Sequence, residues 1–172
     1  MRRPAVTIAT VLCVVSVGVM ALVGTLQVDN GERNRSIVVS DLDGAVLARL
    51  SLPGDTFAVS YRNSIYETVA EERYDVAEDG SYRLSEIAAD QLAVIEEYYA
   101  VPGVPEAASQ GDRRAFVVAP DPDHPAVFDS LSIAATDLGE RTVHISGSAP
   151  FALWQLVDDD RPFLSLEIKE TP

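Results

Sequence analysis

The sequence is poor in cysteine, lysine and histidine. Its one cysteine, Cys13, lies inside an apolar run near the N-terminus, so no disulfide can staple the rest of the chain. Folding must therefore rest on an apolar core. Cys13 follows Leu12 and the run continues past it, which is unlike a lipoprotein anchor and argues against lipidation. Lys169 is the only lysine; every other basic residue is arginine. Basic residues number 13 against 27 acidic ones, and the formal net charge is −14. Such a field repels phosphate backbones and anionic lipid, which excludes nucleic acid as a partner. Dense carboxylate with almost no lysine is the pattern of proteins that work in concentrated salt, and it predicts a halophilic protein. Catalytic signatures are missing too. Ser64, Ser146 and Ser148 lack a nucleophile-elbow context and an evident base, so the chain is expected not to be an enzyme and to need no cofactor.

The most conspicuous feature present is hydrophobic. No charged residue occurs from Pro4 to Val28, and Ala5 to Leu26 is almost wholly apolar, long enough for the ~20 residues that a membrane span requires. Arg2 and Arg3 precede the run; Asp29 and Glu32 follow it. The positive-inside bias places the N-terminus in the cytoplasm and the remainder on the outer face. No A-x-A exit stands near Gly24 or Val28, which favours an uncleaved anchor over a cleaved signal, in which case the domain would be exported. The arginine pair also hints at twin-arginine export, but Pro4, Ala5 and Val6 do not continue that motif. Residues 1–28 are thus a signal anchor or signal peptide, 29–35 a polar linker, and 36–172 one extracytoplasmic domain.

After the linker the pattern changes to alternation. Ile37 to Ser40 and Ala45 to Leu52 predict a hairpin around the Asp43-Gly44 turn. Phe57, Val59 and Tyr61 predict a strand with one buried face. Ala70 to Val76 and Tyr82 to Ile87 predict a second hairpin around Glu78-Asp79-Gly80. Ala89 to Ala100 is ambiguous and leans to a short helix. Val101 to Asp112, rich in proline, glycine and alanine, predicts a mobile loop. Further strands are expected at Arg114 to Ala119, Ser130 to Thr136, Thr142 to Ser146 and Pro162 to Ile168. Ser148 is expected to cap a short helix that turns Leu153, Trp154 and Leu156 inward. Short strands separated by turn signals define a mainly β, antiparallel sandwich or barrel-like domain with one or two short helices.

The stretch Phe57-Ala-Val-Ser-Tyr61-Arg62-Asn63-Ser64, continuing through Glu67-Thr68-Val69 to Glu71-Glu72-Arg73-Tyr74, resembles the domain of unknown function 1850 family. In that family a strand ends in Tyr-x-His-Ser and runs on through Thr-Pro-Val-x-Glu. The run from Ser130 through Trp154 to the last strand fits the family's C-terminal half. Asn63 stands in place of the family's histidine and Val69 in place of its proline, and the glycine-rich stretch after the second hairpin is largely lost. An amide at 63 can hydrogen-bond but cannot titrate. The resemblance implies a small exported accessory of a TRAP-type (TAXI) solute transporter, touching a permease or solute-binding protein. The alternative is a stand-alone ligand-binding or cell-envelope structural domain. Candidate contact residues are Tyr61, Asn63, Ser64, Glu67 and Glu72; the plain reading of Asn63-Ser64 is service to a turn.

Metal sites are not expected. Asp41-x-Asp43-Gly44 lacks the downstream glutamate of a calcium loop and reads as a turn. Asp121-Pro-Asp-His124 reads as a solvated loop, and Asp158 to Asp160 as a solvated charge run. His144 lies between Val143 and Ile145 and should face away from them, on a polar sheet face.

Overall fold

The computed structural model describes residues 34–171. The apolar N-terminal segment, with its anchor or signal reading, lies outside the described residues. Among those described, no helix is long and apolar enough to cross a membrane.

The fold is mainly β and antiparallel, with twelve strands in two sheets among the described residues. Strands β1 (Arg35–Asp41), β2 (Val46–Leu52), β9 (Leu131–Ala134) and β12 (Phe163–Glu170) form a four-stranded sheet ordered β2-β1-β12-β9. The larger sheet runs β11 (Phe151–Ala152), β10 (Thr142–His144), β3 (Thr56–Asn63), β4 (Thr68–Val76), β5 (Tyr82–Ala89), β7 (Phe116–Val118), β6 (Glu106–Ala107), with β8 (Val127–Phe128) also paired to β5. Both predicted hairpins form. In the first, the Asp41 carboxylate accepts from the Asp43 and Ala45 amides at 3.0 and 2.8 Å, and Gly44 takes a φ of +83° that a side chain would disfavour. In the second, Gly80 does the same at +86°.

The two sheets share one core. Ile37, Val39, Leu164 and Leu166 from the smaller sheet pack with Phe57, Val59, Tyr74 and Tyr82 from the larger. Phe57 stacks on Tyr74 with centroids 5.0 Å apart, and Tyr82 meets both rings edge-on. The Tyr82 hydroxyl donates across to the Leu166 carbonyl at 2.8 Å, which satisfies a buried polar group and ties one sheet to the other. A second cluster (Tyr61, Ala70, Ile87, Ala89, Val94, Ile95, Val118) contains no residue of the smaller sheet. There a π-helical turn, Val94–Tyr99, supplies Val94 and Ile95 as the cover.

Several local expectations shift. The first strand opens at Arg35, one residue inside the predicted linker, because its buried guanidinium donates to the Ala77 and Gly54 carbonyls and pairs with Asp55. Strand β3 is buried on both faces, Ala58 and Ser60 as well as Phe57, Val59 and Tyr61. The predicted loop 101–112 includes β6, and the short helix at 89–100 is wound as a π turn after β5 runs on to Ala89. Ser148 caps nothing: the 3-10 turn Leu153–Leu156 starts after Ala152 with no side-chain cap. Leu153 is buried and Leu156 packs on the core, but Trp154 is only half-buried and outside that cluster.

Candidate functional site

The end of β3 and the turn into β4 carry most of the motif. Asn63 is buried, and its side-chain carbonyl accepts from the Ile65 and Tyr66 amides at 3.0 and 3.1 Å. Its role is that of a turn former, the plain reading of this residue. Ser64 is exposed on that turn. Glu67 is exposed as well and closes the turn in the left-handed region, with φ of +51°.

Tyr61 points the other way, into the second cluster. Its hydroxyl lies near that of Tyr99 but completes no well-aligned hydrogen bond. Burial, reinforced by the nearby Glu72 charge, raises its pKa to about 12, so it stays neutral at any physiological pH. Glu72 sits behind it. One Glu72 oxygen accepts from the Tyr74 hydroxyl at 2.7 Å and the other from the Tyr99 hydroxyl at 2.8 Å, and burial with that carboxylate keeps both phenols protonated. Glu72 is therefore an internal acceptor rather than an exposed contact.

The structure adds partners that are distant in sequence. The Arg141 guanidinium lies over the Tyr61 ring, 4.2 Å from its centroid. The Tyr98 ring, delivered by the π turn, stands 6.3 Å from Tyr61. Tyr61, Asn63, Ser64, Tyr98, Leu138 and Arg141 line one pocket of about 220 Å³. Its rim carries three solvated apolar side chains beside exposed Arg62: Ile65 is 72 % exposed, Leu138 65 % and Tyr98 53 %. So Tyr61, Asn63 and Ser64 come together in a concave site, while Glu67 and Glu72 do not line it. Arg141, Tyr98 and Leu138 were not legible as site residues, because only the register of β10 on β3 and the π winding bring them there.

On the opposite face of the larger sheet lies a polar cluster. Glu71 is fully buried and is held by Arg73 at 2.8 Å and Arg113 at 2.7 Å, with Arg114 at 3.6 Å. Beside it, His144 Nε2 and Ser60 Oγ are 2.8 Å apart. His144 faces away from buried Val143 and Ile145, as the alternation predicts. Burial lowers its pKa, so the imidazole is neutral near pH 7. A Ser–His pair suggests nucleophilic chemistry, but Ser60 is buried in the middle of a strand paired on both sides by β4 and β10. Those ladders consume the amides that would have to form an oxyanion hole. The pair is a satisfied polar contact beside an adjacent groove of about 460 Å³ lined by Arg113, Glu86, His144 and Ser146.

A depression of about 630 Å³ lies at the β1–β2 turn among Asp41, Asp43, Asp158 and Asp160. It contains no residue of the motif, and Asp41 is already spent on turn amides. His124, 84 % exposed, pairs with Asp121 at 2.9 Å within its own loop. Among the described residues no three histidine, aspartate or glutamate side chains converge as metal ligands. Comparison with protein-family models, with curated proteins and with solved structures gives no match.

Proposed function

We propose that this is a β-sandwich recognition domain held at the outer face of a membrane by residues 5–28, acting by protein contact rather than by chemistry. The reading is that of an accessory to a TRAP-type (TAXI) solute transporter, touching its permease or solute-binding protein. The observation that supports it best is the pocket at the end of β3, where Tyr61, Asn63 and Ser64 meet exposed Ile65, Tyr98 and Leu138. Solvated aromatic and aliphatic side chains around a small polar floor suit a protein interface better than a solvent-facing surface.

The test is recovery of partners. The full-length chain with a C-terminal tag is cross-linked mildly in native membranes at high salt and purified, and bound proteins are identified by mass spectrometry. A permease or solute-binding protein is expected, and its yield should drop when Leu138 and Ile65 are replaced by serine. Recovery of the chain alone overturns the stable-complex form of this reading. The polar groove near Arg113 and His144 favours a second reading, a stand-alone ligand-binding domain, and ligand screening would then move to that groove.

A further inference from the structure

We propose that Arg141 is the anchor for an aspartate or glutamate side chain of a partner protein, with an apolar neighbour of that residue resting on Ile65, Tyr98 and Leu138. The inference rests on the reading of this face as a contact surface and names the chemistry it selects.

The first support is the state of Arg141. Carboxylates outnumber basic residues by 27 to 13, and the arginines at 35, 73, 83, 113, 114 and 161 each reach one, while Arg49 and Arg62, which reach none among the described residues, are exposed to solvent. Arg141, half-buried in the pocket, forms no ion pair and no side-chain hydrogen bond with the described residues; its one close partner is the Tyr61 ring. Glu72 and Arg141 both act on the Tyr61 hydroxyl. Both Glu72 oxygens, however, are occupied by the hydroxyls of Tyr74 and Tyr99. A guanidinium fixed over an aromatic face keeps its planar donors free and loses little freedom on meeting a carboxylate.

The second support is size. Small-molecule sites usually enclose roughly 300–1,000 Å³; this pocket has about 220 Å³. That volume suits the end of one side chain. The exposed rim then supplies contact for the flanking residues, and arginine and tyrosine are among the residues enriched where interfaces concentrate their binding energy. An acidic side chain from a partner meets the charge, the volume and the rim together. A free organic acid would leave the rim solvated.

The experiment uses the full chain in detergent micelles with labelled arginine side chains. The probes are acetyl-Leu-Glu-Leu-amide, its glutamine counterpart and free hexanoate. The Arg141 Nε–H resonance, assigned by its loss in Arg141→Lys, is expected to move and saturate with the glutamate peptide. The glutamine peptide should bind about ten-fold more weakly or worse, as loss of a charge-assisted pair requires, and Leu138→Ser should weaken the glutamate peptide several-fold. Equal affinity for the two peptides, or no movement of the Arg141 resonance at millimolar peptide, overturns the proposal. Hexanoate binding as tightly as the peptide overturns it in favour of a free carboxylic acid. Partner recovery that is the same for wild type and Arg141→Gln leaves the contact reading standing and removes the anchor, so the two failures are distinguishable.

Discussion

Asn63 occupies the position that draws attention in the motif, and its chemistry there is local. A side-chain carbonyl that accepts from two consecutive turn amides, at 3.0 and 3.1 Å, fixes the path from β3 into β4. The amide needs no charge for this, so nothing in the turn calls for a titratable side chain at 63. Asn63→Ala removes both bonds at a buried position, and stability should fall by about 1–2 kcal/mol, the scale of a lost cap or turn bond. Urea unfolding of the variant measures it. An Asn63→Ala protein as stable as wild type would show that the turn forms without its amide and would return Asn63 to the list of contact residues. Arg141 is the contrasting case at this scale: it holds no turn and no carboxylate, which is why it, rather than Asn63, carries the binding proposal.

At the scale of elements, ion pairs join β4 to the segment 112–114. Glu71 and Arg73 alternate with Glu72 and Tyr74 along β4, so one face feeds the tyrosine network and the other clasps Asp112, Arg113 and Arg114. Burial pushes the Glu71 carboxyl up, but the hydrogen bonds and charges of Arg113 and Arg73 outweigh it and leave the carboxyl below its usual value. The Arg73 hydrogen bond, against a smaller penalty of burial, brings Asp112 down to about 2. Both folded values lie below those of an unfolded chain, near ~4. Their stabilisation is therefore complete above that range and disappears as pH falls through the folded values, towards about 2 for Asp112. The urea midpoint should drop between pH 4 and pH 2 in wild type and drop less in Asp112→Asn; equal slopes would assign the acid sensitivity elsewhere. Glu71→Gln should cost about 2 kcal/mol at neutral pH, the scale of lost charge-assisted hydrogen bonds, because Arg73 and Arg114 keep Asp112, Glu86 and Asp90; urea unfolding measures it.

This clasp also marks where sequence reasoning runs out. Hairpins were legible because their signals are local: Asp41 and Gly44 lie within four residues of each other, and alternation fixes the inward set of β1, β3 and β12. The second face of β3 was not legible, because Ser60 meets His144, and its cross-strand neighbour Glu71 meets Arg113, both far away in the chain. Ser148 looked like a helix cap, yet Phe151–Ala152 pairs with β10 and overrides it. The pocket was half legible for the same reason: Tyr61, Asn63 and Ser64 are one stretch, whereas Arg141 arrives by strand register.

For the molecule as a whole the dominant quantity is its net charge of −14. A domain of this size has a radius of gyration of about 14 Å. At 0.01 M salt the screening length is about 30 Å, so every carboxylate repels every other across the whole fold; at 1 M it is about 3 Å and only neighbours interact. The arginine clasps offset this locally, but they engage only some of the 27 acidic residues. Low salt should therefore destabilise the domain through self-repulsion, without altering a single core contact. The thermal midpoint should rise steeply with potassium chloride between 0.01 and 1 M, and the chain should be largely unfolded at the low end. Sucrose at matched osmolarity should not replace the salt, because it is excluded from the surface but screens no charge. A midpoint that hardly moves over this range would mean that the carboxylates are spaced widely enough to tolerate one another, and the halophilic reading of the composition would fall with it.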